Sequence, residues 1–308
     1  MPALSTIDRE AGRGAALFLD MGTGKSFVAL ALIANFKFQL TLLICPKSVM
    51  SVWPNEVAKH CIVPPAVEVL RDNSTTARST ELVRAIALAR ARRSQLIVCC
   101  NYEAIWRDQL AEALSAQPWD CLILDEGHRC KSPSGKAAMF LSRLADRIPF
   151  RLILTGTPLP HSPLDGYALY RILDKGIFGT SFVNFRARYA VMGGYGGHEV
   201  KGFQNEEELH RKMYQIAFRV KAEDVQDLPE AMDIIRTCKL SASARAIYDS
   251  VDKEFVAEVG SGVVTVTNAL TKLLRLQQIT SGFITMDKSD ELTQQTAHVR
   301  EIDTSKAE

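Results

Sequence analysis

From residue 15 to residue 155 the chain repeats one rhythm, and that rhythm limits its fold more than any other feature. Short apolar runs stand at residues 15–20, 40–45, 66–71, 95–100, 119–125 and 150–155. Each has the length of a strand, and most are almost continuously apolar, as a strand covered on both faces should be. Longer amphipathic or polar stretches separate them, at 26–36, 49–60, 76–93, 104–116 and 134–147. Strand–helix alternation at this spacing predicts an α/β fold, a parallel sheet with helices on both faces. Such sheets bind ligands beyond the carboxyl ends of their strands. Residues that carry chemistry are therefore expected where the apolar runs stop.

After residue 160 the rhythm changes. Residues 163–173, 181–189 and 206–214 have helical patterns. Gly193-Gly194-Tyr195-Gly196-Gly197 reads as a turn ahead of a hairpin strand at 198–203. A strand is expected at 232–240, long helices at 242–259 and 265–279, and a polar, frayed stretch from Asp287.

Composition narrows the class. With 47% apolar and 23% charged residues, the chain matches an ordinary globular protein rather than a disordered or collagen-like one. A net charge of +2 excludes a polycation that coats nucleic acid by charge alone. The seven cysteines are odd in number and form no Cys-x-x-Cys pair, which argues against a disulfide framework or a zinc site. Neither a signal pattern nor an apolar run long enough to span a membrane is visible. The expected setting is a reducing cytoplasm, without membrane contact.

Three run-ends stand out. The first is Leu19-Asp20-Met21-Gly22-Thr23-Gly24-Lys25-Ser26, after an expected strand and at the start of an expected helix. Gly22 and Gly24 would let the backbone bend so that successive N–H groups, that of Thr23 included, converge on one anion, helped by the positive end of the helix dipole. Lys25 would reach the β- and γ-phosphates of a nucleotide, and Ser26 would ligate Mg²⁺. The strict G-x-x-x-x-G-K-[ST] pattern wants glycine at position 19, where this chain has Leu19.

The second is Cys121-Leu122-Ile123-Leu124-Asp125-Glu126-Gly127-His128, whose carboxylates begin a hundred positions after Lys25. A buried strand would deliver Asp125 to hold Mg²⁺ and Glu126 to polarise an attacking water. The third is Leu152-Ile153-Leu154-Thr155-Gly156-Thr157-Pro158. Behind the other two, it reads as an element that senses the state of the nucleotide.

Together these segments resemble superfamily-two helicases. Asp125-Glu126-Gly127-His128 stands where those proteins carry their DEAD or DEAH sequence, and Thr155-Gly156-Thr157-Pro158 resembles the third motif of the Swi/Snf branch. Cys45-Pro46-Lys47-Ser48 with Trp53-Pro54-Asn55-Glu56 resembles motif Ia, and Asn101-Tyr102-Glu103 resembles motif Ib. The stretches Phe185-Arg186-Ala187-Arg188-Tyr189, Arg219-Val220-Lys221-Ala222-Glu223-Asp224-Val225 and Leu228-Pro229 are similar to those that close the first lobe. Leu273-Leu274-Arg275-Leu276-Gln277-Gln278-Ile279 is similar to the helix leading towards the second. The resemblance runs over residues 15–285, with the flavour of bacterial and bacteriophage members.

The resemblance implies a RecA-like core at 1–160, a helical and hairpin extension at 161–240, and a helical segment at 241–308 leading towards a second lobe. It implies ATP and Mg²⁺ as ligands, with His128, Thr155, Gly156 and Thr157 coupling phosphate to motion. It also implies duplex DNA as partner, gripped with little sequence preference through Lys47, Ser48, Asn101 and Lys131. A glutamine-containing adenine-reading motif is not seen ahead of the phosphate loop. The second RecA-like lobe is expected on another chain or in a missing C-terminal region. An arginine finger from such a lobe is worth about 10³–10⁵ in rate, so this chain alone is expected to bind nucleotide better than it hydrolyses it. Two other readings remain open at this point: a DEAD/DEAH-type RNA or single-strand helicase lobe, and a non-catalytic nucleotide- or DNA-binding module.

Overall fold

The computed structural model describes residues 14–72, 74–197, 199–225, 237–254, 256–259, 262–265, 269–285 and 299–301. They fall into two compact units, Met1–Leu228 and Pro229–Glu308.

The first unit runs β1 (Gly14–Leu19), α1 (Lys25–Phe36), β2 (Leu40–Cys45), α2 (Trp53–His60), β3 (Ala66–Val69), α3 (Thr75–Arg92), β4 (Leu96–Asn101), α4 (Asp108–Ser115) and β5 (Cys121–Asp125). A 3-10 turn, Gly127–Cys130, then leads to α5 (Lys136–Ala145), β6 (Phe150–Thr155), α6 (Gly166–Leu173), α7 (Lys175–Phe178) and α8 (Phe182–Tyr189). The unit closes with β7 (Ala190–Gly193), β8 (Glu199–Phe203), α9 (Glu206–Met213), β9 (Ala217–Val220) and α10 (Ala222–Val225).

Seven strands form one parallel sheet in the order β3-β4-β2-β5-β6-β1-β9. Every residue of β1, β2, β4 and β5 is buried, which is why these runs carry no polar alternation. Their period of two instead sorts side chains between two cores. Phe18, Leu42, Val98 and Leu124 belong to one, with α3, α4, α5 and α6. Leu17, Leu43, Ile97 and Ile123 belong to the other, with α1 and α2. Leu42, Leu43 and Ile44 are wholly buried, and each contributes about 1.5–3 kcal/mol.

The six expected strands are present; 40–45 and 150–155 have the expected ends, and the other four are shifted by one or two residues. The run at 66–71 stops at Val69, although the Leu70 N–H still bonds to the Cys99 carbonyl at 3.0 Å. The helix expected at 104–116 begins only at Asp108, because the chain first makes turns at Asn101–Ala104 and Ala104–Arg107. The one beginning at Val49 starts at Trp53, with Pro54 in its first turn, where proline's missing N–H costs nothing. Arg90 and Arg92 sit in the last turn of α3 and Arg93 caps it at φ 53°, so this basic cluster complements the helix dipole.

The seventh strand, β9, was not expected. It lies parallel to β1 at the sheet edge, with Ala16 opposite Ala217 and Leu19 opposite Val220. At the hairpin, β8 pairs antiparallel with β7, as expected for 199–203; His198 lies outside the described residues. Glu206, Glu207 and Glu208 occupy the first turn of α9.

The second unit contains α11 (Ala242–Glu254), β10 (Val256–Val259), β11 (Gly262–Thr265), α12 (Ala269–Thr280), β12 (Phe283–Thr285) and β13 (Val299–Glu301). Two helix expectations are corrected here. The helix expected to run to residue 259 ends at Glu254, and residues 256–259 pair antiparallel with 262–265. The helix expected from residue 265 starts at Ala269. Within the tail expected to fray, Val299–Glu301 pairs with Phe283–Thr285. Val251, Ile279 and Ile284 form this unit's small core. Of the strand expected at 232–240, residues 237–240 are not strand and 232–236 lie outside the described residues, as do Leu228-Pro229 and 286–298.

Candidate functional site

β6 lies between β5 and β1, so the carboxyl ends of three neighbouring strands bring the three conspicuous segments together. After β1 the chain turns through Gly22 at φ 78° and Gly24 at φ 88°, angles that favour glycine. A Cβ on Gly24 would meet nothing within 4 Å, so the backbone angle and not space calls for glycine there. Thr23 Oγ1 donates to the Asp20 carbonyl at 2.7 Å and tightens the loop. No side chain caps α1, which leaves its first-turn N–H groups for an outside acceptor. Lys25 opens that helix, with Ser26 next to it. Lys25 Nζ donates to the Leu19 carbonyl at 3.0 Å and lies 4.0 Å from Glu126 Oε1. The end of β6 closes on the same loop, since a Cβ on Gly156 would lie 3.2 Å from the Leu19 oxygen and 3.9 Å from Lys25 Nζ.

At the end of β5, Asp125 is 7% exposed. Its Oδ2 accepts a hydrogen bond from the Trp53 indole N–H at 3.2 Å, and its backbone carbonyl accepts from the Tyr102 hydroxyl at 2.8 Å. Burial pushes its carboxyl up to about 6; the Trp53 hydrogen bond opposes the shift, Glu126 adds to it, and Lys25 offsets part. The next residue, Glu126, takes a left-handed backbone at φ 51°, ψ 50°. For a residue with a Cβ this costs about 1–3 kcal/mol. The turn reverses the chain so that Glu126 reaches both Lys25 and His128. It is locked by Gly127, where a Cβ would come 2.5 Å from Ile153 Cγ2 on β6.

His128 joins the two strand ends. Its Nδ1 lies 3.0 Å from Thr155 Oγ1, 3.4 Å from Thr157 Oγ1 and 3.3 Å from Glu126 Oε2. Thr155 is wholly buried, and its Oγ1 also accepts the Thr157 N–H at 3.1 Å. Burial lowers the His128 pKa against the opposing pull of Glu126, so the neutral ring prevails at pH 7. One side chain thus touches both Glu126 and the end of β6.

Lys47, Ser48 and Asn101 line one groove of about 420 Å³, together with Thr75, Arg78, Glu103, Ala104, Arg107 and Arg129. Lys131 is not among its lining residues. Lys47 and Ser48 are exposed, whereas Asn101 is 5% exposed and engaged on both sides. Its Oδ1 accepts from Arg78 Nη1 at 2.9 Å and its Nδ2 donates to Glu103 Oε2 at 2.7 Å. Glu103 also pairs with Arg129 at 3.2 Å. Asn101 therefore forms the floor of the groove, and the arginines supply most of its charge.

Sequence reasoning missed Arg78, Arg107 and Arg129, and it placed Trp53 in the motif Ia resemblance without its bond to Asp125. Arg78 carries a weak signal, as a lone basic residue on the helix face that buries Leu82 and Ala85. Cys45, Cys99, Cys100, Cys121 and Cys130 are buried and free. Burial pushes the Cys45 thiol up to about 12. Among the described residues no group of three or more His, Cys, Asp or Glu could hold a metal, and no helix is long and apolar enough to cross a membrane.

The chain is similar to several known proteins. The chain is 27% identical over 285 residues to DNA excision repair protein ERCC-6 of Homo sapiens, a match covering 83% of this chain and 18% of that protein. It is 26% identical over 298 residues to protein p41 of Acyrthosiphon pisum secondary endosymbiont phage 1, covering 89% of this chain and 61% of that one. The chain thus spans from under a fifth to about three fifths of the length of these relatives. Among solved structures, the Sulfolobus solfataricus SWI2/SNF2 ATPase core in complex with dsDNA has the same fold, with a TM-score of 0.56 and 23% identity over 88% of this chain and 55% of that chain. A sequence model of the SNF2-related domain matches residues 4–282, and the chain belongs to that family.

Proposed function

We propose that the chain is the ATP-binding first lobe of a DNA-dependent ATPase that moves on duplex DNA. One observation carries the reading: Lys25, Glu126 and the His128–Thr155 contact converge at the carboxyl ends of β1, β5 and β6. The backbone of Gly22, Thr23, Gly24, Lys25 and Ser26 would hold the phosphates, and Lys25 would exchange the Leu19 carbonyl for phosphate oxygens.

The residues present fit Mg²⁺ held with the nucleotide. With no acidic cage among the described residues, the donor set is one carboxylate, Asp125, and one hydroxyl, Ser26. Mg²⁺ commonly binds in this way, by one or two carboxylates plus phosphates and waters. Bound there, it would neutralise charge on the phosphates. Glu126 would polarise the attacking water, placed for this by its left-handed backbone. His128, Thr155, Gly156 and Thr157 would report the change at the phosphates to β6.

The groove holding Lys47, Ser48 and Asn101 would take the duplex backbone, with Lys131 as a further contact. Phosphate contacts position a protein without reading sequence. Arg78, Arg107 and Arg129 extend the basic surface of this groove. A second RecA-like lobe, on another chain or in a longer form of this one, would complete the catalytic site. The Sulfolobus solfataricus relative, described as a complex with dsDNA, supports the duplex reading. The family match favours it over a DEAD/DEAH-type RNA or single-strand helicase lobe. The phage relative supports a setting in the cytoplasm of a bacterial or phage-infected cell.

The test is steady-state ATP turnover by the full chain with duplex DNA, with RNA and with neither, using Glu126→Gln as control. Turnover stimulated by duplex DNA and lost in Glu126→Gln supports the reading. Stimulation by RNA in preference to duplex DNA contradicts the proposed substrate. Retained nucleotide and DNA binding without turnover, even with a second lobe supplied, favours a non-catalytic binding module.

A further inference from the structure

We propose that Trp53 is a positioning residue for Asp125, fixing which carboxylate oxygen is presented to the metal–nucleotide complex. The inference rests on the nucleotide-binding reading given above. Trp53 is 1% exposed and belongs to the core on the α1–α2 face of the sheet. A tryptophan in that place needs only to be apolar, yet its one polar atom is spent on a carboxylate. Nε1 lies 3.2 Å from Asp125 Oδ2. An indole N–H can only donate, and it has one hydrogen. The pairing therefore has one polarity, and it fills one acceptor site on Oδ2, which would bias a metal towards the other oxygen.

The backbone of Asp125 is held as well, because Tyr102 donates to its carbonyl at 2.8 Å. Two buried aromatic donors, one from the start of α2 and one from the turn after β4, thus clamp the residue at the end of β5. Tyr102 is 4% exposed, so both donors belong to the packed interior. Outer partners that orient a metal-binding carboxylate typically set metal affinity by about 10–100-fold.

The experiment compares Trp53→Phe with the unaltered chain, using a fluorescent ATP analogue with Mg²⁺ and with EDTA. Phenylalanine keeps an aromatic ring in the core and removes the N–H. Affinity for the nucleotide with Mg²⁺ should weaken by ~10–100-fold, while affinity in EDTA stays unchanged. In an Asp125→Asn background the same substitution should add no further loss of the Mg²⁺ effect. Equal weakening in both conditions, or none in either, overturns the proposal.

The unaltered chain gives a second readout that does not depend on the variant folding. The Trp53 indole N–H resonance should move when Mg²⁺ is added to the nucleotide complex and stay still in Asp125→Asn; an unmoved resonance in the unaltered chain also overturns the proposal. Lys25→Ala separates the two levels of inference. If it leaves nucleotide binding intact, the phosphate-loop reading itself is wrong. If it abolishes binding while Trp53→Phe leaves the Mg²⁺ effect intact, only the positioning role fails.

Discussion

Replacing Asp125 by asparagine should make the protein more stable at neutral pH, because the folded chain holds that carboxylate against its preference. The Asp125 pKa stands at about 6, against an ordinary value of 3.8. Burial is the largest cause, and the Trp53 hydrogen bond and Lys25 only partly compensate. A raised acid pKa means that the folded state binds the proton more tightly than the unfolded chain does. Below pH 3.8 both states are protonated and nothing is lost. As pH rises through the window from 3.8 to about 6 the stability contributed by the proton disappears.

The full difference of about two units is about 3 kcal/mol, and about half of it has developed by pH 5. Asparagine removes the charge and keeps an oxygen for the Trp53 N–H, so Asp125→Asn should recover up to about 3 kcal/mol above pH 7. At about 2–4 °C per kcal/mol for a unit of this size, the melting temperature should rise several degrees at pH 8 and clearly less at pH 5. Thermal unfolding of both proteins across that range, in EDTA and without nucleotide, checks it. A gain independent of pH, or a loss at pH 8, would refute the assignment of Asp125 as a carboxylate strained by burial.

Three further outcomes follow from named contacts. Gly127→Ala would drive a Cβ to 2.5 Å from Ile153 Cγ2 and should cost ~1–3 kcal/mol by overpacking; an unchanged urea midpoint would contradict it. Thr155→Val keeps the side chain's volume but removes the oxygen that meets His128 Nδ1 and the Thr157 N–H. Nucleotide affinity should persist while DNA-stimulated turnover falls ~2–30-fold, and equal loss of both would argue for a plain packing role. Glu103→Gln removes the carboxylate that occupies Arg129 in the groove. Duplex binding should tighten, and its dependence on log salt should steepen by about 0.9 if one more phosphate is engaged; titration at several salt concentrations that showed neither change would place the DNA elsewhere.

The sheet was legible because its central strands are buried on both faces, which makes the runs within 40–45, 95–100 and 119–125 almost continuously apolar. The strand Ala217–Val220 escaped for the opposite reason. It sits at the edge with Phe218 and Arg219 exposed, so only its hydrogen bonds to β1 identify it. The hairpin at 256–265 was hidden by the helix ahead of it: Ala242–Glu254 is amphipathic, and Val256, Ala257 and Glu258 extend that pattern by three positions. The later valines at 263 and 264 and the glycines at 260 and 262 were the turn-and-strand signal that should have ended the helix.

At the site, glycines, lysine and carboxylates mark strand ends by their type alone. Their partners are less visible. Trp53 reads as core because it is core, and its bond to Asp125 spans 72 positions of sequence. Asn101 reads as a surface contact, yet Arg78 and Glu103 already hold it.

The central claim is that the loop between β1 and α1 binds nucleotide phosphates through Lys25. Its most direct test is calorimetric titration of Mg²⁺–ATP into the full chain and into Lys25→Ala, with thermal unfolding of both to confirm that the fold is intact. Saturable binding to the first and none to the second is the predicted result. Equal binding to both, or no binding to the intact chain, would contradict the account.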